Sequence, residues 1–150
     1  MAIEVKLSSR PANEADIRPR NNFGYHGEIV SVYGFRIDRG YSYVIIHSNK
    51  FMSETLCVPL HEIHPIHLTQ ELFKLLTTKE ELSIMQVSLR WNVKCYELIM
   101  TDKNTGNENF FQYISYVHEM QNLFHDFTGS APSFPINLKF AVTEPATSSF

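Results

Sequence analysis

The stretch Tyr25-His26-Gly27-Glu28-Ile29-Val30-Ser31-Val32-Tyr33, with Gly34 after it, decides the fold class. β-branched and aromatic residues dominate it, and such residues fit a pleated, half-buried surface. It reads as a strand that Gly34 ends. Downstream, Asp38-Arg39-Gly40 is a turn signal, and Tyr41-Ser42-Tyr43-Val44-Ile45-Ile46-His47 is a second strand. Glu54-Thr55-Leu56-Cys57-Val58-Pro59-Leu60 is a third. Pro59 has no N–H to give a ladder, so this strand belongs at an edge or stops there. Three strands spaced by roughly 12–15 residues and joined by polar turns predict a small twisted sheet or partly closed barrel. Upstream, Ile3, Val5 and Leu7 alternate with polar residues as a short edge strand does, and Ser8 to Arg20 reads as a loop.

Pro65 breaks the chain beyond the third strand. Thr69-Gln70-Glu71-Leu72 then has the signature of a helix start. Thr69 is placed to accept a first-turn N–H, and Glu71 sits at the positive end of the dipole. A short helix is expected over Gln70 to Leu76. Ser83 to Leu89 and Lys94 to Met100 form the next strand pair, with Asn92 between them and Trp91 anchoring their packing. Thr101 to Asn107 is a turn rich in Asn, Asp and Gly, and Asn109 to Gln112 is a short returning strand. The strongest helical pattern runs from Tyr113 to Phe127. Ile114, Val117, Gln121, Phe124 and Thr128 recur at helical spacing, and Met120 and Phe127 widen the stripe. Gly129 follows as a C′ residue. Ile136, Leu138, Phe140 and Val142 alternate with Asn137, Lys139 and Ala141 as a last half-buried strand.

Composition bounds the function classes. Of 150 residues, 43% are hydrophobic and 19% charged, a globular mixture. The net charge of −3 argues against a nucleic-acid binder held by bulk charge. Residues 1–40 hold 6 basic and 5 acidic side chains, an excess of only +1. No run of about 18 apolar residues occurs, so no membrane partner is expected. The first ten residues have no apolar h-region and do not read as a signal peptide. Cys57 and Cys95 lie in apolar segments and are expected as buried thiols in a reducing, cytoplasmic setting.

Few residue constellations carry chemistry. His61, His64 and His67 are spaced as H-x-x-H-x-x-H, and three imidazoles with water make a catalytic zinc site. Pro65 forbids one continuous helix there, and in a strand a spacing of three puts neighbours on opposite faces. The three read more simply as half-exposed residues on a connector, so no metal and no cofactor is expected. His67-Leu68-Thr69 matches one half of a two-histidine phosphoesterase pattern, but no second half exists to complete acid–base work. His118, Gln121, Asn122 and His125 form a polar stripe on the last predicted helix, suited to a ligand or, more simply, to satisfying backbone groups. Phosphate-binding loops, nucleophile elbows and C-x-x-C pairs are absent from the sequence.

Three blocks together carry a resemblance. They are Ile17-Arg18-Pro19-Arg20-Asn21-Asn22-Phe23-Gly24-Tyr25-His26-Gly27-Glu28-Ile29-Val30-Ser31-Val32, Ile63-His64-Pro65-Ile66-His67-Leu68-Thr69-Gln70-Glu71-Leu72, and Tyr116-Val117-His118-Glu119-Met120-Gln121-Asn122-Leu123-Phe124-His125-Asp126-Phe127-Thr128-Gly129. In this order the chain resembles a large group of short uncharacterised proteins from gut anaerobes, their prophages and mobile elements. Arg18 and Asn21 match that group's Arg-x-x-Asn opening. Pro65 to Glu71 match its Pro-Ile-x-Leu-Thr-x-Glu block, and His118, Gln121, Asn122 and Gly129 match its closing block. The resemblance covers roughly residues 17–129 and transfers no activity. It implies a small β module, a short Thr-capped helix, a second sheet segment and a C-terminal helix. The chain departs from the group at Leu75-Leu76-Thr77-Thr78-Lys79, where Gly-Phe is usual, and over residues 130–150, which extend past the usual end.

The resulting expectation is an α+β protein, with a small SH3-like β module followed by a β-meander carrying one short helix and one C-terminal amphipathic helix. Residues 1–22 are expected as an N-terminal arm and 23–142 as a single α+β domain. Within it the β module covers about 23–65 and the sheet plus helix about 66–142; residues 143–150 form a tail. The expected function is non-enzymatic: a phage or mobile-element accessory protein that binds a host protein, with counter-defence as its sharpest form. Aromatic-rich surfaces supply contact area at low entropic cost, and Tyr25, Tyr33, Phe35, Tyr41 and Tyr43 are the candidate partner-binding residues. One alternative is a nucleotide or signalling-molecule sponge using Arg18, Arg20, His118, Gln121, Asn122 and His125. A second alternative is a nucleic-acid-binding β module.

Overall fold

The computed structural model describes residues 2–48, 55–77, 87–102, 104–132, 134 and 139–143. Its strands are β1 (Ile3–Lys6), β2 (Asn22–Tyr25), β3 (Glu28–Asp38), β4 (Tyr41–Ser48), β5 (Thr55–Pro59), β6 (Val87–Trp91), β7 (Tyr96–Thr101), β8 (Glu108–Ile114) and β9 (Phe140–Thr143). Its α-helices are α1 (Gln70–Leu76) and α2 (Val117–Thr128). The fold is mixed α+β. The chain forms two compact units, Met1–His67 with Ser133–Phe150, and Leu68–Pro132. No helix among the described residues is long and apolar enough to cross a membrane.

In the first unit β2, β3, β4 and β5 form one antiparallel meander in chain order. Among the described residues its two end strands do not pair with each other, so the sheet is open and not closed into a barrel. Two tight hairpins build it. His26 and Gly27 have φ of 45° and 76°, and Arg39 and Gly40 have φ of 52° and 83°. Paired positive φ values give turns whose twist matches that of the flanking strands, and a glycine at the second position removes half the steric cost. His26-Gly27 is therefore a turn and not the interior of the expected Tyr25–Tyr33 strand. Gly34 does not end β3 either. The register slips between Val32 and Gly34, so Tyr33 is an extra residue and β3 runs on to Asp38.

Alternation along these strands makes the core. Val30, Val32, Val44, Ile46 and Val58 turn to one side and meet Phe23, Ile63 and Ala12. The expected N-terminal strand forms as β1 and pairs in parallel with β9, setting Val5 opposite Val142. Val5 is fully buried and Leu7 nearly so. The expected last strand at residues 136–142 is seen as β9 from Phe140; residues 135–138 lie outside the described residues. Cys57 corrects the expectation of a buried thiol. It lies opposite Ile45 on the edge strand and is exposed, while Cys95 is half-buried.

The second unit opens with α1, whose bounds are those predicted. The Thr69 hydroxyl accepts a hydrogen bond from the Leu72 N–H at 3.2 Å. The strands β6, β7 and β8 form an antiparallel meander. The expected strand from Ser83 begins at Val87 here, and residues 83–86 lie outside the described residues. The Asn92 side-chain oxygen accepts from the Lys94 and Cys95 N–H groups at 3.1 and 2.9 Å and shapes the β6–β7 turn. Val93 in that turn has φ of 85°, a strained conformation for a β-branched residue.

The second helix starts later than its stripe implies. Glu119 accepts from the Ser115 and Tyr116 N–H groups, both at 3.0 Å, which caps the helix at Tyr116. Tyr113 and Ile114 consequently stay in β8. At the other end Gly129 has φ of 80°, and its N–H donates to the His125 carbonyl at 2.8 Å.

Tyr96 sits in the interior of this unit. Its ring stacks on Phe73 at 4.3 Å and lies tilted against Trp91 at 5.1 Å. Burial pushes its phenol from the ordinary 10.0 up to about 12. Between those two values the folded protein keeps a proton that the unfolded chain releases, so stability falls as pH rises through that window. Thermal melts across this range are expected to show a steeper loss in the wild type than in Tyr96→Phe, which has no phenol to ionise. Equal slopes would show that Tyr96 ionises freely.

Candidate binding cleft

A cleft of about 330 Å³ opens in the first unit, where the start of β4 faces the end of β5. Tyr41, Ser42 and Tyr43 line it from β4, Pro59, Leu60 and His61 from the end of β5 and the following 3-10 turn, and Pro11 and Ala12 from the loop after β1. Local chemistry sets each wall. Tyr43 is paired with Pro59 in the β4–β5 register, and Pro59 ends the ladder there. The loop wall is tied down by backbone and side-chain bonds. The Ala12 N–H donates to the Ile63 carbonyl at 2.8 Å, and Asp16 accepts from the Asn13 N–H at 2.8 Å. Arg10 donates to Asp16 at 3.2 Å and to the Pro11 carbonyl at 3.1 Å. The Ser42 hydroxyl donates to Glu14 at 2.6 Å, which links β4 to the loop.

The lining is mostly apolar, with two phenols, a hydroxyl and an imidazole at its margin. Such a site holds a side chain or a short extended segment and fixes its orientation through a few polar groups. Tyr41 is 70% exposed, so its ring stands free at the rim.

The five aromatic candidates separate in space. Tyr41 and Tyr43 share the cleft. Tyr33, the bulged residue, is exposed and meets His47 edge-on at 4.7 Å. Phe35, opposite Val44, is exposed, at 38%. Tyr25 packs edge-on against His26 at 4.3 Å, and burial, with the nearby Glu62 carboxylate second, raises its phenol.

The histidine series does not assemble. His61 joins the cleft wall, and the His64 ring Nδ1 lies 2.8 Å from the Ser8 carbonyl. Partial burial, then the Lys6 charge, holds His67 below its ordinary value. Among the described residues no three His, Cys, Asp or Glu side chains gather into a group able to hold a metal ion.

The polar stripe of α2 divides as well. His118 and Gln121 are buried inside the second unit, and the Gln121 amide donates to the Pro132 carbonyl at 2.8 Å. His125 is exposed beside Asp126, and Asn122 is half-buried. Arg18 and Arg20 belong to the first unit and are exposed.

Sequence reasoning missed Pro11, Ala12, Ser42, Pro59 and Leu60 as cleft residues. Their only sequence signal is the pair of prolines flanking apolar residues, which is equally a signal for strand ends and loops. It also missed the exposed rings of Phe110, Phe111 and Tyr113 on β8. Comparison with family models, curated proteins and solved structures finds no match to this chain.

Proposed function

We propose that this protein is a non-enzymatic binding module that captures a segment of another protein in the Tyr41/Tyr43 cleft. The observation that carries this reading is the cleft itself: two tyrosines and two prolines around about 330 Å³, with an exposed phenol at the rim. Tyrosine supplies large contact area with few rotors to freeze, which is why it is enriched where partners dock. The resemblance to phage and mobile-element proteins makes a bacterial host protein the partner of choice, with counter-defence as the role. Under this proposal the open β2–β5 meander is a distant variant of an SH3-like module.

The test is a tagged pull-down from bacterial lysate with nuclease present, comparing wild type with Tyr41→Ala/Tyr43→Ala and with Tyr33→Ala/Phe35→Ala. A stoichiometric protein is expected on wild type and on the second variant. Loss of hot-spot contacts of about 2 kcal/mol or more lowers affinity roughly thirty-fold in the cleft variant. Capture that survives both cleft substitutions in a folded variant refutes the cleft as the binding site.

A further inference from the structure

The β2–β5 sheet has two faces. Val30, Val32, Val44, Ile46 and Val58 take the core face, so the residues that alternate with them take the other. Leu7 covers that second face at Gly24. Towards the β3–β4 hairpin it is open: Tyr33 and Tyr41 are 62% and 70% exposed, and the Arg36 side chain 63%. Tyr43 lies opposite Arg36, and Tyr33 meets His47. Two further exposed arginines flank the face. The Arg20 N–H donates to the Val32 carbonyl at 2.7 Å, next to Tyr33, and Arg39 turns the hairpin just before Tyr41. We propose that this face binds single-stranded nucleic acid, stacking bases on Tyr33, Tyr41 and Tyr43 and holding phosphates with Arg20, Arg36 and Arg39.

Charge singles out the occupant. The chain carries −3 overall, yet among the described residues Asp38 is the one acidic side chain on this face. It lies 3.8 Å from Arg36. No ion pair among the described residues engages Arg20 or Arg39. An acidic peptide would satisfy the cations and leave the rings wet; a single strand supplies both a phosphate and a π-face at every nucleotide. Tyr41 and Tyr43 stand two residues apart on β4, about 7 Å along the strand, so neighbouring unstacked bases can each take one ring.

Gly34 is the second sign of a ligand. It lies on this face opposite Ile45, between Tyr33 and the Arg36–Tyr43 pair. A methyl built on it would meet only Ile45 Cδ1, at an ordinary 3.6 Å, and its φ is not positive. Neither crowding nor backbone conformation therefore requires glycine here. A strand glycine of that kind marks a place where a ligand approaches the backbone closely. This site does not depend on the Tyr41/Tyr43 cleft, because Tyr33, Gly34 and Arg36 lie outside the cleft lining.

Fluorescence anisotropy of the full chain tests the proposal, with labelled oligouridine and oligothymidine of about ten nucleotides and a duplex of equal length. Wild type is expected to bind the single strands and to bind the duplex more weakly. Three phosphate contacts give log K a slope of about −2 against log salt. Preference between the two oligonucleotides identifies RNA or DNA as the ligand. Tyr33→Ala is expected to weaken binding about five-fold or more, while Tyr33→Phe, which keeps the ring, retains it. Gly34→Val is expected to weaken binding about as much without lowering the urea midpoint, because valine suits a strand and only fills the floor between the rings. Wild type that binds neither oligonucleotide at about 500 µM overturns the proposal. So does binding indifferent to both Tyr33→Ala and Gly34→Val, or binding as tight to the duplex as to the single strands. Loss of a captured protein in Tyr33→Ala, with no oligonucleotide bound by wild type, overturns it in favour of a protein partner on this face.

Discussion

Replacing Phe124 by alanine is expected to destabilise the second unit by about 3–5 kcal/mol, while the same change at Phe127 costs about 1 kcal/mol or less. Both residues lie on α2, three positions apart, and both belong to its apolar pattern. Phe124 is 1% exposed and Phe127 is 47% exposed. Truncating Phe124 removes the transfer free energy of a whole ring and leaves a cavity that the close-packed neighbours fill only in part. Truncating Phe127 removes half-wet surface and leaves no cavity. Urea unfolding followed by far-UV dichroism measures both. Equal costs would mean that the interior of this unit does not discriminate the two faces of α2, and the burial described above would be wrong. Helix propensity cannot produce the difference, since the two substitutions are chemically identical.

Gly24→Ala is expected to cost the first unit about 1–3 kcal/mol through overpacking. A methyl group built on Gly24 falls 2.3 Å from Leu7 Cδ2 and 2.4 Å from Cδ1. Leu7 is 6% exposed, so its side chain has little room to swing aside. The Gly24 backbone has little freedom to retreat. It pairs with Ile29 of β3, and on its other side it exchanges hydrogen bonds with His64 at 2.8 and 3.0 Å. The cause is crowding rather than backbone conformation, and a double-mutant cycle separates the two. Leu7→Ala alone opens a cavity and costs about 2–5 kcal/mol. Combined with Gly24→Ala it gives the new methyl a space, so the double variant is expected to lose less than the sum by about 1 kcal/mol or more. Strict additivity would show that Leu7 and Gly24 do not touch.

Local signals in the sequence were read correctly where the chemistry is complete within a few residues. Thr69 caps α1 because its hydroxyl reaches an N–H three residues on. Arg39-Gly40 turns the β3–β4 hairpin because glycine tolerates positive φ. Gly129 ends α2 for the same reason. The apolar stripe begins four residues before α2 itself because Tyr113 and Ile114 suit helix and strand equally by period; the Glu119 carboxylate, bonded to the Ser115 and Tyr116 N–H groups, settles the boundary. Gly34 has the look of a strand end in the sequence because a glycine usually weakens a strand. Pairing with Ile45 across a bulge carries β3 through it.

The candidate site was legible only in part. Tyr41 and Tyr43 stand out in the sequence as aromatic residues on a strand, and both reach the cleft. Nothing local separates them from Tyr25, Tyr33 and Phe35, because a strand's alternation tells which residues share a face but not what covers that face. The opposite wall comes from Pro11 and Ala12, about 30 residues earlier, and from His61, nearly 20 later. By itself the sequence determined the α+β class, the bounds of α1 with its Thr69 cap, and the turns at Arg39-Gly40 and Gly129, since these depend on hydrogen bonds and steric limits between near neighbours. Only the tertiary structure decided the parallel pairing of β1 with β9, the burial of Phe124 over Phe127, and the assembly of the cleft. Those depend on contacts between distant segments, whose energies have no signature at short range.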